Sequence, residues 1–272
     1  MKLSFSTLGC PDWSLPNIAS NAKSMGYDGV ELRTHADGNH FSPDASPALA
    51  RETAQIFRDH GVPIFSVMGY CRFAFTDPAE VVKNQELGHK LIAIAEAMGA
   101  KYIRAFCGGV PKGSTVEAMT TVIADAVKPL AQEAAKRNLT IAFEIHDDWC
   151  SGKNLMGILD RVDSKGLGVV YDVFNGIHAN LEPWETTYAT IKKHICYCHV
   201  KDGFNFPGGK HEYVLVGAGE IPWPKVFSRL KADGFDSYLS FEWEKKWIPE
   251  LDPPEKTFPH FPRKVRAMWK DA

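Results

Sequence analysis

Short apolar runs recur along this chain, separated by longer segments whose apolar residues return every three or four positions. Leu3–Leu8, Val30-Glu31-Leu32, Val62–Val67 and Tyr102–Phe106 have the length and the aromatic or β-branched content of strands. Leu139–Phe143, Gly168–Tyr171, Ile195–Cys198 and Ser237–Phe241 continue the series. Runs this apolar, bounded by glycine and polar residues, predict strands buried on both faces, as in a parallel sheet. Between them, Ala79–Met98 places Val82, Leu87, Leu91, Ile94, Ala95 and Met98 largely on one helical stripe. Thr115–Lys136 does the same with Val116, Met119, Val122, Ile123, Ala126, Leu130 and Ala134.

A stop residue closes most of the helical segments: Gly26, Gly61, Gly99, Asn138, Gly166 and Gly234 each precede a strand-like run. Glycine or asparagine at that place predicts a left-handed residue ending a helix. Over the first five, the stops are spaced by about 28 to 39 residues, the size of one strand–helix unit. Eight such units in alternation have one closed solution, so the fold class predicted is α/β, a single (β/α)8 TIM barrel over residues 1–272. The proline-rich piece Ile248–Pro262 reads as a long loop before a last helix near Pro262–Trp269, and Gly203–Ala218 as a loop able to cover the mouth.

Composition narrows the function. With 31 Lys and Arg against 33 Asp and Glu, the chain has no basic footprint for nucleic acid. No run of about 18 apolar residues predicts a membrane span, and the first residues lack the apolar core of a signal peptide. Six cysteines without a CxxC pair suit a reducing, cytoplasmic setting, with Cys196 and Cys198 as small buried hydrophobes. Gly108-Gly109 and Gly208-Gly209 are weak as phosphate-binding signals, and no GxxxxGK[ST] loop is present.

The chemistry sits where the later strands end. Glu144, Asp172, His199 and Glu242 each follow or close an apolar run. In a barrel the carboxyl ends of strands carry the site, and neighbouring strands lie about 4.8 Å apart. Three carboxylates and an imidazole converging there would repel unless a divalent cation joined them. Glu31 and Arg33, at the end of the second strand, read as a polar contact inside the barrel.

These residues carry a family resemblance. Phe143-Glu144-Ile145-His146, Tyr171-Asp172-Val173-Phe174-Asn175, Cys198-His199-Val200-Lys201-Asp202, Gly217–Trp223 and Leu239–Glu244 stand in the order expected of the xylose-isomerase-like TIM barrel superfamily. Within it the chain is most similar to the sugar phosphate isomerase/epimerase group, which holds tagatose- and psicose-type 3-epimerases and inosose dehydratases. The resemblance implies that Glu144, Asp172, His199 and Glu242 bind one divalent metal ion (Mn2+, Mg2+, Co2+ or Zn2+). It further implies a metal-dependent sugar isomerase or epimerase, with Glu144 and Glu242 as the acid/base pair acting on a ketose or cyclitol through a cis-enediolate. The family often has a histidine two or three residues after the aspartate; here Asn175 stands there, with His178 beyond.

Other candidate substrate contacts are His146, Lys201 and His211, with Lys210 beside the last. Trp13, Phe73, Trp243 and Trp247, in loops after strands, are candidates for an apolar wall. The alternatives are a dehydratase of inosose or dehydroshikimate type on the same site, an endonuclease-IV-like DNA repair enzyme, and a non-catalytic sugar-binding barrel. A homodimer or homotetramer is expected from the exposed aromatic loops.

Overall fold

The computed structural model describes residues 1–206 and 210–272. The barrel strands are β1 (Lys2–Ser6), β2 (Gly29–Arg33), β3 (Ile64–Met68), β4 (Tyr102–Phe106), β5 (Thr140–Glu144), β6 (Leu167–Asp172) and β7 (Ile195–Val200). After β7 come β8 (Asp202–Phe206) and β9 (Lys210–Val214), and then β10 (Tyr238–Phe241). All the barrel pairings are parallel, in the order β1-β10-β7-β6-β5-β4-β3-β2, and β2 closes back on β1. The expected eight-stranded barrel is therefore present, with β10 in the place of its last strand.

The predicted loop Gly203–Ala218 is instead largely the antiparallel hairpin β8–β9. Asp202 anchors its base: the Gly203 and Gly217 amides donate to the carboxylate at 2.9 and 2.7 Å. Gly208 and Gly209 lie outside the described residues.

The helices are α1 (Leu15–Ser24), α2 (Pro47–Asp59), α3 (Pro78–Met98), α4 (Val116–Lys136), α5 (Gly152–Val162) and α6 (Val173–Ala179). The later ones are α7 (Trp184–Ile191), α8 (Trp223–Ala232), α9 (Pro254–Thr257) and α10 (His260–Asp271). Ser14, Ser46, Asp77 and Thr115 cap α1 to α4 through their side-chain oxygens, which explains why each helix starts there. Gly99 ends α3 with φ 72°, as the sequence predicts.

Gly166 has a different role. The left-handed residue that ends α5 is Asp163, with φ 45°. A Cβ on Gly166 would stand 1.9 Å from the Ala131 carbonyl oxygen, so glycine there lets β6 approach the backbone of α4.

Val82 also departs from expectation: it is 51% exposed. The buried face of α3 begins only at Gly88, whose missing side chain admits Leu130 of α4.

Strand alternation sorts the side chains. Leu3, Phe5, Val30, Ile103, Phe143, Val169 and Leu239 pack outward with the helices in one core. Inside, the amino end of the barrel is plugged by Phe65, Tyr102, Ala142, Val170 and Tyr197, with Tyr238 stacked on Phe65 at 3.9 Å. Polar residues lie above this floor, and the site is built on them.

Candidate metal centre

Glu144 ends β5, Asp172 ends β6, His199 is next to last in β7, and Glu242 follows β10. These four strands are neighbours in the sheet. Each side chain is at most 2% exposed, and each offers one ligand atom within 4.8 Å of all the others. His199 Nδ1 lies 3.5 Å from Glu144 Oε2 and 3.3 Å from Glu242 Oε1. Its other nitrogen, Nε2, is 2.9 Å from Glu31 Oε2. Glu31 fixes the ring so that Nδ1 faces the carboxylates, as the outer carboxylate of a metal-bound histidine does.

Two buried cations brace the cluster. Arg104, in β4, donates to Glu144 Oε2 at 2.5 Å and to the Gly69 carbonyl at 3.1 Å. Lys201 Nζ is 2.7 Å from Glu242 Oε2, 3.0 Å from Asp172 Oδ2 and 3.0 Å from Glu244 Oε1. Tyr213, on the hairpin, donates to the same Glu244 oxygen at 3.1 Å.

The charges follow from these neighbours. Burial works against the Glu144 carboxylate, yet Arg104 and His199 together outweigh it and hold the group below the usual range. Burial likewise opposes ionised Glu242, and His199 and Lys201 together drive it well down. For Asp172 burial prevails over Lys201, so its carboxyl is raised. Burial disfavours the charged His199 ring, but Glu242, Glu31 and Glu144 raise it well above an ordinary imidazole.

Within the four-residue cluster, two buried atoms have no hydrogen-bond partner: His199 Nδ1 and Asp172 Oδ2. Both have ionic neighbours at contact distance, as given above, but in directions unsuited to a hydrogen bond. An imidazole nitrogen fixed by its far side and directed at carboxylates fits a cation better than a hydrogen-bond network. Three carboxylates and one imidazole could hold a divalent ion of the Mg2+, Mn2+, Co2+ or Zn2+ kind.

A cavity of about 280 Å3 adjoins the cluster, lined by Tyr70, Arg104, Phe106, Glu144, His146, Lys201, Glu242, Glu244 and Trp247, together with Leu8, His35 and Arg72. A larger concavity of about 750 Å3 between α7 and α8 brings together no such group of three or more ligand residues among the described residues.

Among the predicted contacts, His146 and Lys201 line this cavity. Asn175 reaches the site differently, donating to Glu144 Oε1 at 3.1 Å while its amide caps onto Asp172 at 2.9 Å. His178 and His211 meet each other at 4.9 Å around Phe174, outside the cavity lining. Trp13 is directed away, donating to Glu255 at 2.9 Å and packing on Phe258. Phe73 and Trp243 are core residues, 1% and 2% exposed, so of the aromatic wall only Trp247 stands at the cavity.

Arg104, Glu244 and Tyr213 were not expected at the site. Arg104 alone carried a signal, since alternation from Tyr102 turns it inward.

The family model for xylose isomerase-like TIM barrels matches residues 19–263. Among solved structures, the IolI protein with a bound zinc atom superimposes with a TM-score of 0.84 at 20% identity, over 100% of this chain and 99% of that one. An L-ribulose 3-epimerase gives 0.81 at 16% identity, over 99% and 95%. The probable 3-DHS dehydratase AsbF from Bacillus anthracis gives 0.77 at 16%, over 98% and 99%. At such identities the structural likeness is one of fold, whereas the family match spans most of the sequence: the chain belongs to the xylose isomerase-like TIM barrel family.

Proposed function

We propose that this protein is a divalent-metal-dependent isomerase or epimerase of a small sugar, ketose or cyclitol, acting by proton abstraction beside a carbonyl. The observation that carries the reading is the convergence of Glu144, Asp172, His199 and Glu242 within 4.8 Å at a cavity that Glu144 and Glu242 line. A divalent ion held by these residues supplies Lewis-acid polarisation of the substrate carbonyl. Glu144 and Glu242 come from the two ends of the four-strand arc and flank the same His199 nitrogen. One carboxylate takes the proton from the carbon next to the carbonyl and the other returns one to the opposite face, through an enediolate. Arg104 and His199 together keep Glu144 ionised and ready to accept that proton. Lys201 places an ammonium beside Glu242, where it stabilises negative charge developing on the substrate oxygen.

One observation favours a dehydratase as the second reading. His146 lies on the cavity wall with Nδ1 3.0 Å from Asp147. Burial disfavours its charge, but Asp147 and Glu144 together raise it overall, giving an acid for a leaving β-hydroxyl.

The test begins with metal analysis of the purified protein. A panel of ketoses and cyclitol ketones in deuterated water follows, with the metal restored. Epimerisation incorporates deuterium at the α-carbon, while dehydration releases water and leaves an absorbing enone. Glu144→Gln and Glu242→Gln should each abolish the exchange, and persistence in both discards the acid/base pair. The unpaired cysteines suit a reducing cytoplasm. Exposed Trp247 and Leu181 support a homodimer or homotetramer, which sedimentation will measure.

A further inference from the structure

Phe106, the last residue of β4, organises the wall of the cavity four strands around the barrel from β10, which Glu242 follows. Arg104 stacks on its ring at 3.7 Å, His146 meets it edge-on at 5.2 Å, and Arg72 lies over it at 5.7 Å. Arg104 is committed to Glu144. Arg72 is not committed to any carboxylate: among the described residues its guanidinium is in no ion pair, although it is a charged group lining the cavity. Asp147, whose carboxyl the Arg72 charge helps to hold low, is engaged by His146 instead.

The position of Arg72 is nevertheless fixed. Its amide donates to Asn84 Oδ1 at 3.0 Å, and Asn84 donates to the Glu80 carbonyl at 2.9 Å. On either side, the Phe106 amide donates to the Cys71 carbonyl, and the Phe73 and Ala74 amides donate to the Cys107 carbonyl, at 2.8 to 2.9 Å. An exposed arginine needs no such support for solubility. A guanidinium on a braced loop, resting on an aromatic ring at a cavity mouth, is suited to bidentate capture of an oxyanion.

We propose that the substrate of this site is an anionic polyol ketone, whose carboxylate or phosphate is bound by Arg72 while its carbonyl end faces the Glu144–Glu242 cluster. This rests on the reading of the cluster as a carbonyl-binding site. It adds the substrate's charge, and it makes Arg72 the residue that selects for it. His146, beside Arg72 on the same ring, supplies a second donor.

The test is calorimetric titration of the metal-loaded protein with fructose, fructose 6-phosphate and 5-ketogluconate. At least one of the two anions should bind about tenfold or more tightly than fructose, the scale of one charge-assisted contact. Which anion it is separates phosphate from carboxylate. Arg72→Gln should erase the preference, Arg72→Lys should keep part of it, and added salt should shrink it. The ratio of anion to fructose affinity within each protein is the readout. If neither anion binds more tightly than fructose, or if the preference survives Arg72→Gln, the proposal is overturned. Deuterium exchange on the same panel is a separate readout. Arg72-dependent binding without exchange keeps this inference and sinks the proton-transfer chemistry, and exchange indifferent to Arg72 does the reverse.

Discussion

Replacing Glu31 by Gln tests how the site is held together without touching any residue assigned to the cation. Glu31 is fully buried. Its Oε1 accepts from Tyr197 at 2.5 Å and Ser66 at 3.3 Å, and its Oε2 faces His199 Nε2 at 2.9 Å and Ser240 at 3.1 Å. An amide can keep only one of these oxygens. If its nitrogen faces Tyr197 and Ser66, their hydroxyls can rotate to accept, and His199 keeps its orientation. If the nitrogen faces His199, the ring must move its proton to Nδ1 and cover the lone pair meant for the cation. The first arrangement is the cheaper, so the main loss is the negative charge behind the imidazole. Removing such an outer partner costs about 10- to 100-fold in metal affinity. The tolerant geometry puts Glu31→Gln near the lower end, about 1.4 kcal/mol. Competition for Zn2+ or Mn2+ against a chromogenic chelator at neutral pH measures it, with circular dichroism as the folding control. Tyr197→Phe, which alters only the Oε1 side, should change affinity far less. A folded Glu31→Gln protein with wild-type metal affinity would refute the claim that Glu31 prepares His199.

Cation binding should fall as pH is lowered through about 6, because the Asp172 carboxyl is pushed up to about 6 by burial and the raised His199 also holds a proton there. Calorimetry in two buffers of different ionisation enthalpy should therefore show protons released on binding at neutral pH, and none released would contradict it. Lys201→Met leaves Asp172, Glu242 and Glu244 without their shared counter-charge, and should destabilise the metal-free protein by about 3–5 kcal/mol in urea titration, with divalent ions recovering part. An unchanged midpoint would mean that the ammonium is dispensable. Gly166→Ala forces a methyl against the Ala131 carbonyl and should cost about 1–3 kcal/mol or more by the same titration. Wild-type stability there would show that β6 and α4 can part freely.

The four strand-end residues were legible because a polar residue closing an apolar run has few places to go in a closed barrel. Arg104 was harder to find, since its run looked like any strand and its partner Glu144 lies 40 residues on. Glu31 reads from the sequence as an interior polar contact, and it is one, but its pairing with His199 spans 168 residues, a distance that no local pattern encodes. The loop tryptophans misled for the opposite reason. A loop position after a strand says nothing of direction, and Trp13 and Trp243 turn back to Glu255 and the Asp252 carbonyl instead of toward the mouth. The family motif after the aspartate suggests His178 as a contact, and the loop over the mouth suggests His211, yet the structure brings the two together around Phe174.

Those long-range contacts also tie the site to the barrel. The Glu31 carboxylate receives donors from β3, β7 and β10 while belonging to β2, so one buried charge ties four of the eight barrel strands to the orientation of one imidazole. The aromatic floor beneath makes this workable, because Tyr197 joins both layers: its ring packs on Phe65 at 5.2 Å and its hydroxyl reaches Glu31. Burying that carboxylate is costly unless every lone pair is engaged, and a barrel that shifted register by one residue would turn these donors outward. The same hydrogen bonds that aim His199 therefore also penalise alternative closures of the sheet, and loosening them should disturb folding and metal binding together.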